Sequence, residues 1–434
     1  MICQVIYRYF RIVKIVSFYY YFFSMKIKLL VSVFIGISAN LFAQNPFPYV
    51  MPKDKPTFNM SCAMNRVYDN YGAATPQVNE LYTNFKYSPL TGFDYHNDDG
   101  TVTRRDPSRI IKVNGKYYMW YTKRCTPTTF VGAKLANDTI PSVDWDLCDI
   151  AYATSNDGFH WEEQGIAVHR PKKPELGWRS VATPDVLVWK GKYYLYYQAF
   201  SVMSGSTGRD DCPVAMSYAD SPDGPWTPVN EIIIPNGEPG DWDQFSIHDP
   251  QPLVYKGKIY LYYKSDYNGK DNGGLIRSQG LAIADNPMGP FKKYELNPII
   301  SSGHETQFFR FKEGIASIMA KDGHENNTIQ YSEDGKNFKV ASICAMMPIA
   351  SGLYDPEAFT DVPFAKGITW GICHYNLWGP NRRSILLRFD CDLSIDFNDP
   401  EMKKNDVPFS LEELYRRGLT KKQKEVVLKR DMIK

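Results

Sequence analysis

The stretch KVNGKYYMWYT, residues 112–122, returns as VWKGKYYLYYQ at 188–198 and as VYKGKIYLYYK at 254–264. In each copy a Gly-Lys turn runs into alternating aromatic and aliphatic residues, the pattern of a β-hairpin. A second phrase follows each copy: SNDGFHW (155–161), SPDGPW (221–226) and DNPMGPF (285–291), with a fourth at SEDGKNF (332–338). Such a polar, glycine-containing turn joins two strands and tucks its closing aromatic ring against the sheet. A third phrase opens each unit. Arg105-Asp106-Pro107, Thr183-Pro184-Asp185, His248-Asp249-Pro250, His304-Glu305 and Tyr354-Asp355-Pro356-Glu357 mark five openings, with acids 79, 64, 56 and 50 residues apart. Each unit reads as an acid followed by four antiparallel strands.

Self-similar four-stranded units predict an all-β, five-bladed β-propeller over residues 101–400. In that architecture the innermost strands start at one end of a central channel, so acids at equivalent starts converge on one funnel. Composition agrees. The 434 residues include 30 Tyr, 24 Phe and 9 Trp, with 30 Gly and 29 Pro for turns. Lys and Arg total 50 against 48 Asp and Glu, a net charge of +2. That balance excludes a phosphate-backbone binder, so no nucleic-acid partner is expected.

Two segments flank the propeller. Residues 44–100 are expected to form an N-terminal arm with a short helix: Met60, Met64, Val67 and Tyr68 have helical spacing, Ser61 is a plausible N-cap and Gly72 a stop. Residues 401–434 read as a C-terminal helical segment, where Ser410 and Glu413 form a capping box. Residues 1–43 are expected to be a leader. Lys26 and Lys28, an apolar run from Leu29 to Ile37 and Ala43 before Gln44 make a secretory signal peptide starting at Met25. An N-terminal membrane anchor is the competing reading. Export to the periplasm or beyond the cell is the expectation, with no membrane association after cleavage. Seven cysteines follow the leader without a CxxC pair, and a Cys125–Cys148 bridge is left open.

Converging carboxylates suit glycoside cleavage, which needs one group to protonate the leaving oxygen and another to activate water or attack the sugar. Asp106, Asp249 and Glu305 are the expected catalytic acids, with His304 beside Glu305 as a further proton donor. Thr183, Asp185, Gln198, His248, Trp120 and Gln307 are expected to bind substrate. Trp120 would serve as an aromatic platform, and Gln198 ends an otherwise apolar strand. Asp355 and Glu357 are weaker candidates. The seven histidines do not cluster at ligand spacing, which disfavours a metal-dependent hydrolase.

Three pieces of this chain resemble glycoside hydrolase family 117. Ser61-Cys62-Ala63-Met64-Asn65-Arg66 fits that family's SxAxxR signature, TRRDPSRI (103–110) its first catalytic strand and SGHETQFF (302–309) its acid-bearing strand. The resemblance implies an exo-acting α-1,3-(3,6-anhydro-L-galactosidase) that releases 3,6-anhydro-L-galactose from the non-reducing end of neoagaro-oligosaccharides, with inversion. It implies Asp106 as general base, His304 or Glu305 as acid, and Asp249 orienting the sugar or tuning the acid. It also implies a homodimer that exchanges N-terminal arms, and a divalent cation near the funnel. Two alternatives are a propeller glycosidase acting on arabinan, xylan or fructan, and a non-catalytic carbohydrate-binding propeller.

Overall fold

The repeated hairpin turns close on backbone that favours their residues. Asn114 and Gly115 have φ of 49° and 82°, Lys190 and Gly191 of 51° and 80°, and Lys256 and Gly257 of 51° and 71°. Paired positive φ values give the two-residue turn whose twist matches its flanking strands. They belong to a computed structural model that describes residues 46–69, 80–204, 211–269, 274–323 and 325–396.

Five antiparallel sheets make a five-bladed β-propeller. Blade one has a broken inner strand, Val102–Arg105 and Ile111–Val113, then Lys116–Cys125, Cys148–Ser155 and Glu162–Val168. Blade two runs outward through Ser180–Trp189, Lys192–Phe200, Val214–Ala219 and Thr227–Pro228. Blade three comprises His248–Tyr255, Lys258–Gly269, Gly274–Ala284 and Lys292–Lys293. Blade four comprises Ser302–Phe311, Gly314–Gly323, Thr328–Ser332 and Lys339–Ile343. Blade five takes Ile349–Leu353, Gly367–Leu377 and Arg383–Ser394, and its outermost strand is Lys86–Pro89. The segment expected to be a separate arm therefore closes the ring. Inside it, Ile110 N–H donates to Leu353 O at 2.9 Å and seals blade one to blade five.

Packing explains the aromatic phrases. A strand inside a propeller is covered on both faces, so both of its alternating side-chain sets must be apolar. Tyr117, Met119 and Tyr121 pack with Trp370 and Ile372 of blade five. Tyr118 and Trp120, between them in sequence, pack with Val186, Leu195 and Tyr197 of blade two. The closing aromatics of the polar turns enter the same layers, Trp161 and Phe338 fully buried.

The helix is short, Cys62–Tyr68, with Ser61 as N-cap accepting from Met64 N–H at 3.2 Å. The Ser61 hydroxyl also donates to Pro298 O. Arg66 forks onto Glu325 at 2.7 and 3.0 Å and donates to Phe338 O at 2.7 Å. With Ala63 fully buried, the SxAxxR residues dock the helix onto a propeller face. Gly72, the leader and the 401–434 segment lie outside the described residues. Cys125 and Cys148 stay free thiols. Cys148 pairs across the strands with Arg124, not Cys125, so the two side chains leave opposite faces and no bridge can form.

Candidate active site

One backbone feature recurs once per blade. Asp106, Thr183, Asp249, Glu305 and Ala350 have φ of 48°, 49°, 49°, 65° and 45°. The inner strand slips register around three of them: between Ala182 and Asp185, His248 and Gln251, and Ile349 and Gly352. In blade one the strand breaks after Arg105, whereas in blade four the register is the same on both sides of Glu305. In blades two, three and five this is a β-bulge; in all five blades a positive φ re-aims one side chain of the inner strand. Holding a non-glycine residue there costs about 1–3 kcal/mol, a strain typical of functional sites. The bulge also corrects the expected openings of two units. The counterparts of Asp106 are Thr183 and Ala350, not Asp185 and Asp355. Pro184 follows Thr183 as Pro107 follows Asp106 and Pro250 follows Asp249. Three of the five positive-φ positions carry an acid.

Four of these five positions, all but Ala350, line a cavity of about 250 Å3. Asp106, Asp249, Glu305, His304, Thr183, Gln198 and His248 all line it. Asp106 is buried and held by Arg105, Nε to Oδ2 2.7 Å and Nη2 to Oδ1 3.2 Å. His374 Nδ1 lies 3.1 Å from Asp106 Oδ1, and the Thr183 hydroxyl donates to Oδ2 at 3.4 Å. Burial alone would raise the Asp106 pKa, but Arg105 and His374 outweigh it and hold the carboxyl far below the usual range. Asp249 accepts from Lys264 Nζ at 2.7 Å and from Gln198 Nε2 at 3.4 Å. Burial would lower the Lys264 pKa; Asp249 and Glu305 overcome it and keep the ammonium charged. Glu305 Oε1 lies 3.1 Å from His304 Nε2. Despite burial, His304 and Lys264 draw the Glu305 pKa down to about 2.

A second layer lies beneath. Asp185 and Gln307 line the enclosed channel below the acids, together with Gln251. There Arg109 of blade one reaches across the axis. Its guanidinium is 3.7 Å from Asp185, 3.5 Å from Asp355, and donates to Phe308 O of blade four at 3.1 Å. Burial pushes the Asp185 pKa up to about 6 against the pull of Arg109. Glu357 takes a different place, accepting from Lys366 N–H. Trp120 is corrected as a sugar platform. Alternation points its ring into the layer between blades one and two, against Tyr118, Tyr152 and Trp226. The indoles that line the cavity are Trp145 and Trp378, the latter 81% exposed. Arg105 lies over the Trp145 ring at 4.9 Å.

Sequence reasoning missed Arg105, Lys264 and His374. The last two had a signal. In each blade the residue paired just before the positive-φ position is a polar end to an apolar second strand: Thr122, Gln198, Lys264, Lys321 and His374. Several reach the next blade's bulge, as Thr122 accepts from Thr183 N–H at 2.7 Å, Gln198 meets Asp249 and His374 meets Asp106. Gln198 alone was singled out from this series. The donor set does not suit a divalent cation bound directly by the acids, because a side-chain cation already engages each: Arg105 on Asp106, Lys264 on Asp249 and His304 on Glu305. Among the described residues no group of three or more His, Cys, Asp or Glu is placed to hold a metal ion.

Comparison with known proteins fits this geometry. The model of glycosyl hydrolases family 43 matches residues 102–279. No curated protein matches the chain. Among solved structures, that of BT0996 in an RGII complex is 12% identical, with a TM-score of 0.51 over 76% of this chain and 95% of its own. Another, described as a glycoside hydrolase, is 13% identical, with a TM-score of 0.51 over 76% and 96%. These two share the fold. A much nearer structure is Zg3597, a family 117 glycoside hydrolase produced by the marine bacterium Zobellia galactanivorans. It is 55% identical, with a TM-score of 0.70, over 78% of this chain and 98% of its own. With that identity over that length, on a propeller whose inner strands gather three acids in one cavity, the chain belongs to glycoside hydrolase family 117 and is a propeller glycosidase.

Proposed function

We propose that this enzyme releases 3,6-anhydro-L-galactose from the non-reducing end of neoagaro-oligosaccharides, with inversion. The observation that carries the reading is the pairing of an anionic Asp106 with a His304 flanked by carboxylates in one cavity. A carboxylate accepts hydrogen bonds and donates none. His304 has one at each ring nitrogen, Glu305 at 3.1 Å and Asp322 at 3.2 Å, so both nitrogens face an acceptor for an N–H. Glu305, drawn down to about 2, has no proton to give near neutral pH. The proton donor is therefore His304.

The chemistry then balances. The glycosidic C–O bond breaks and its electron pair goes to the leaving oxygen, which takes the Nε2 proton of His304. Water attacks the anomeric carbon from the opposite face and loses a proton to Asp106. Asp249, braced by Lys264 and Gln198, holds sugar hydroxyls. Arg109, bridging Asp185 and Asp355, closes the channel below the acids, which suits attack on a chain end entering from the mouth.

Incubating the purified protein with neoagarobiose, with NMR detection of free anhydrogalactose and of the anomer first formed, tests this. Release of the inverted anomer is expected. Cleavage of arabino- or xylo-oligosaccharides with neoagarobiose untouched would overturn the substrate and favour the alternative of a propeller glycosidase acting on arabinan or xylan. The same reading includes a secreted homodimer exchanging N-terminal arms. Light scattering of the mature protein checks the dimer, and N-terminal sequencing checks cleavage before Gln44.

A further inference from the structure

One carboxylate off the inner strands touches the proposed acid. Asp322, near the end of the second strand of blade four, places Oδ2 3.2 Å from His304 Nδ1. Arg277 of blade three holds the same oxygen at 2.9 Å, and its Nε lies 3.8 Å from Asp266. Asp322 has φ of 61°, which carries it out of the regular strand. The hydrogen bond from His304 is the main cause drawing its pKa down to about 2. The other charged groups around His304 are Glu305 beside it and Lys321 opposite it in strand register. Lys264 and Asp249 of blade three, with Arg105 and Asp106 of blade one, share the cavity.

Resting on the reading of His304 as proton donor, we propose that Asp322 is its positioning residue, fixing Nδ1 as the N–H nitrogen and keeping the ring cationic until Nε2 delivers its proton. Glu305 alone would not define the ring. A histidine with one partner adopts either tautomer, and its charge is lost once that partner is engaged elsewhere. With Asp322 on Nδ1, proton transfer from Nε2 leaves one neutral tautomer, its open lone pair facing the departing oxygen. Water in the funnel then returns the proton to Nε2. Arg277 tethers Asp322 from behind and keeps the carboxylate ionised. Asp322 touches no sugar in this scheme; it acts through His304.

Asn is among the residues that best tolerate left-handed backbone, so Asp322→Asn preserves the fold while removing the charge. The test follows the His304 imidazole by NMR across pH, its signal identified as the one missing in His304→Gln. In Asp322→Asn the midpoint is expected to fall by about one unit, the lower end of the shift for losing an adjacent opposite charge. The alkaline limb of kcat should fall by the same amount, with KM changed less than about twofold and Asp322→Glu restoring part of the shift. An unmoved midpoint overturns the proposal. So does lost activity with the limb unmoved, which marks a merely structural role. If His304→Asn retains hydrolysis of unactivated glycosides, the donor reading fails, while the NMR midpoint still reports separately whether Asp322 charges the ring.

Discussion

Single side chains in the channel carry charges set by their neighbours, and this makes them readable by pH. Asp185 has a folded pKa of about 6, above that of an unfolded carboxyl. The folded state therefore binds the extra proton, and this contribution to stability is full at low pH and is lost as pH rises through about 6. Calorimetry should show stability declining between about pH 4 and 7, with Asp185→Asn flattening the decline by up to about 3 kcal/mol. Asp355 still faces Arg109 in that variant. Lys264→Met has the opposite logic. It strands Asp249 and Glu305 without their ammonium and should cost about 3–5 kcal/mol in a urea melt. Because Lys264 holds the Glu305 pKa down, the acid limb of kcat/KM should also move to higher pH. At the proposed base, Asp106→Asn suits the left-handed backbone but leaves the buried Arg105 without its carboxylate, so it should cost about 3–5 kcal/mol in the melt, and kcat of the folded variant should fall about 100- to 10,000-fold. The proton donor separates by leaving group: His304→Asn should retain activity only on substrates with activated leaving groups, a pattern that Glu305→Gln would show if Glu305 were the donor.

The bulged inner strand is the element that turns a sheet into a site, and it shows what a sequence can disclose. Asp106 and Asp249 were visible because each is followed by Pro at the mouth of a repeated phrase, and Glu305 because it opens the next copy. Thr183 and Ala350 were not recognisable as their equals, since a register slip is a backbone event that names no residue type. The acids nearest in sequence, Asp185 and Asp355, were read instead; they sit one layer deeper, against Arg109. Trp120 is no platform because it lies in the second strand of its blade, where both faces are covered. Lys264 and His374 were within reach, each a polar end to an apolar run. The element also predicts where bulk is forbidden. Gly352 follows the blade-five bulge, and a Cβ there would sit 1.9 Å from Ser108 O of blade one. That neighbour is backbone and cannot swing aside, so Gly352→Ala should lower unfolding free energy by at least about 1–3 kcal/mol by denaturant titration.

For the molecule as a whole, five repeats announced the ring, but not how it is fastened. Lys86–Pro89 is four residues long, with no alternation to mark it, and it pairs Lys86 with Asp390 and Pro89 with Leu387. Removing residues up to 90 should bare the long edge of Arg383–Ser394, lowering the melting temperature and raising light scattering as unpaired edges associate. The same clasp dictates timing. Its two halves are made about 300 residues apart, so the first must wait, unpaired, while the blades between them are synthesised. Until blade five emerges, His374 is not there to steady Asp106. A polypeptide terminated before that blade thus lacks both its latch and a working reaction centre, and catalysis switches on only in chains that have reached it.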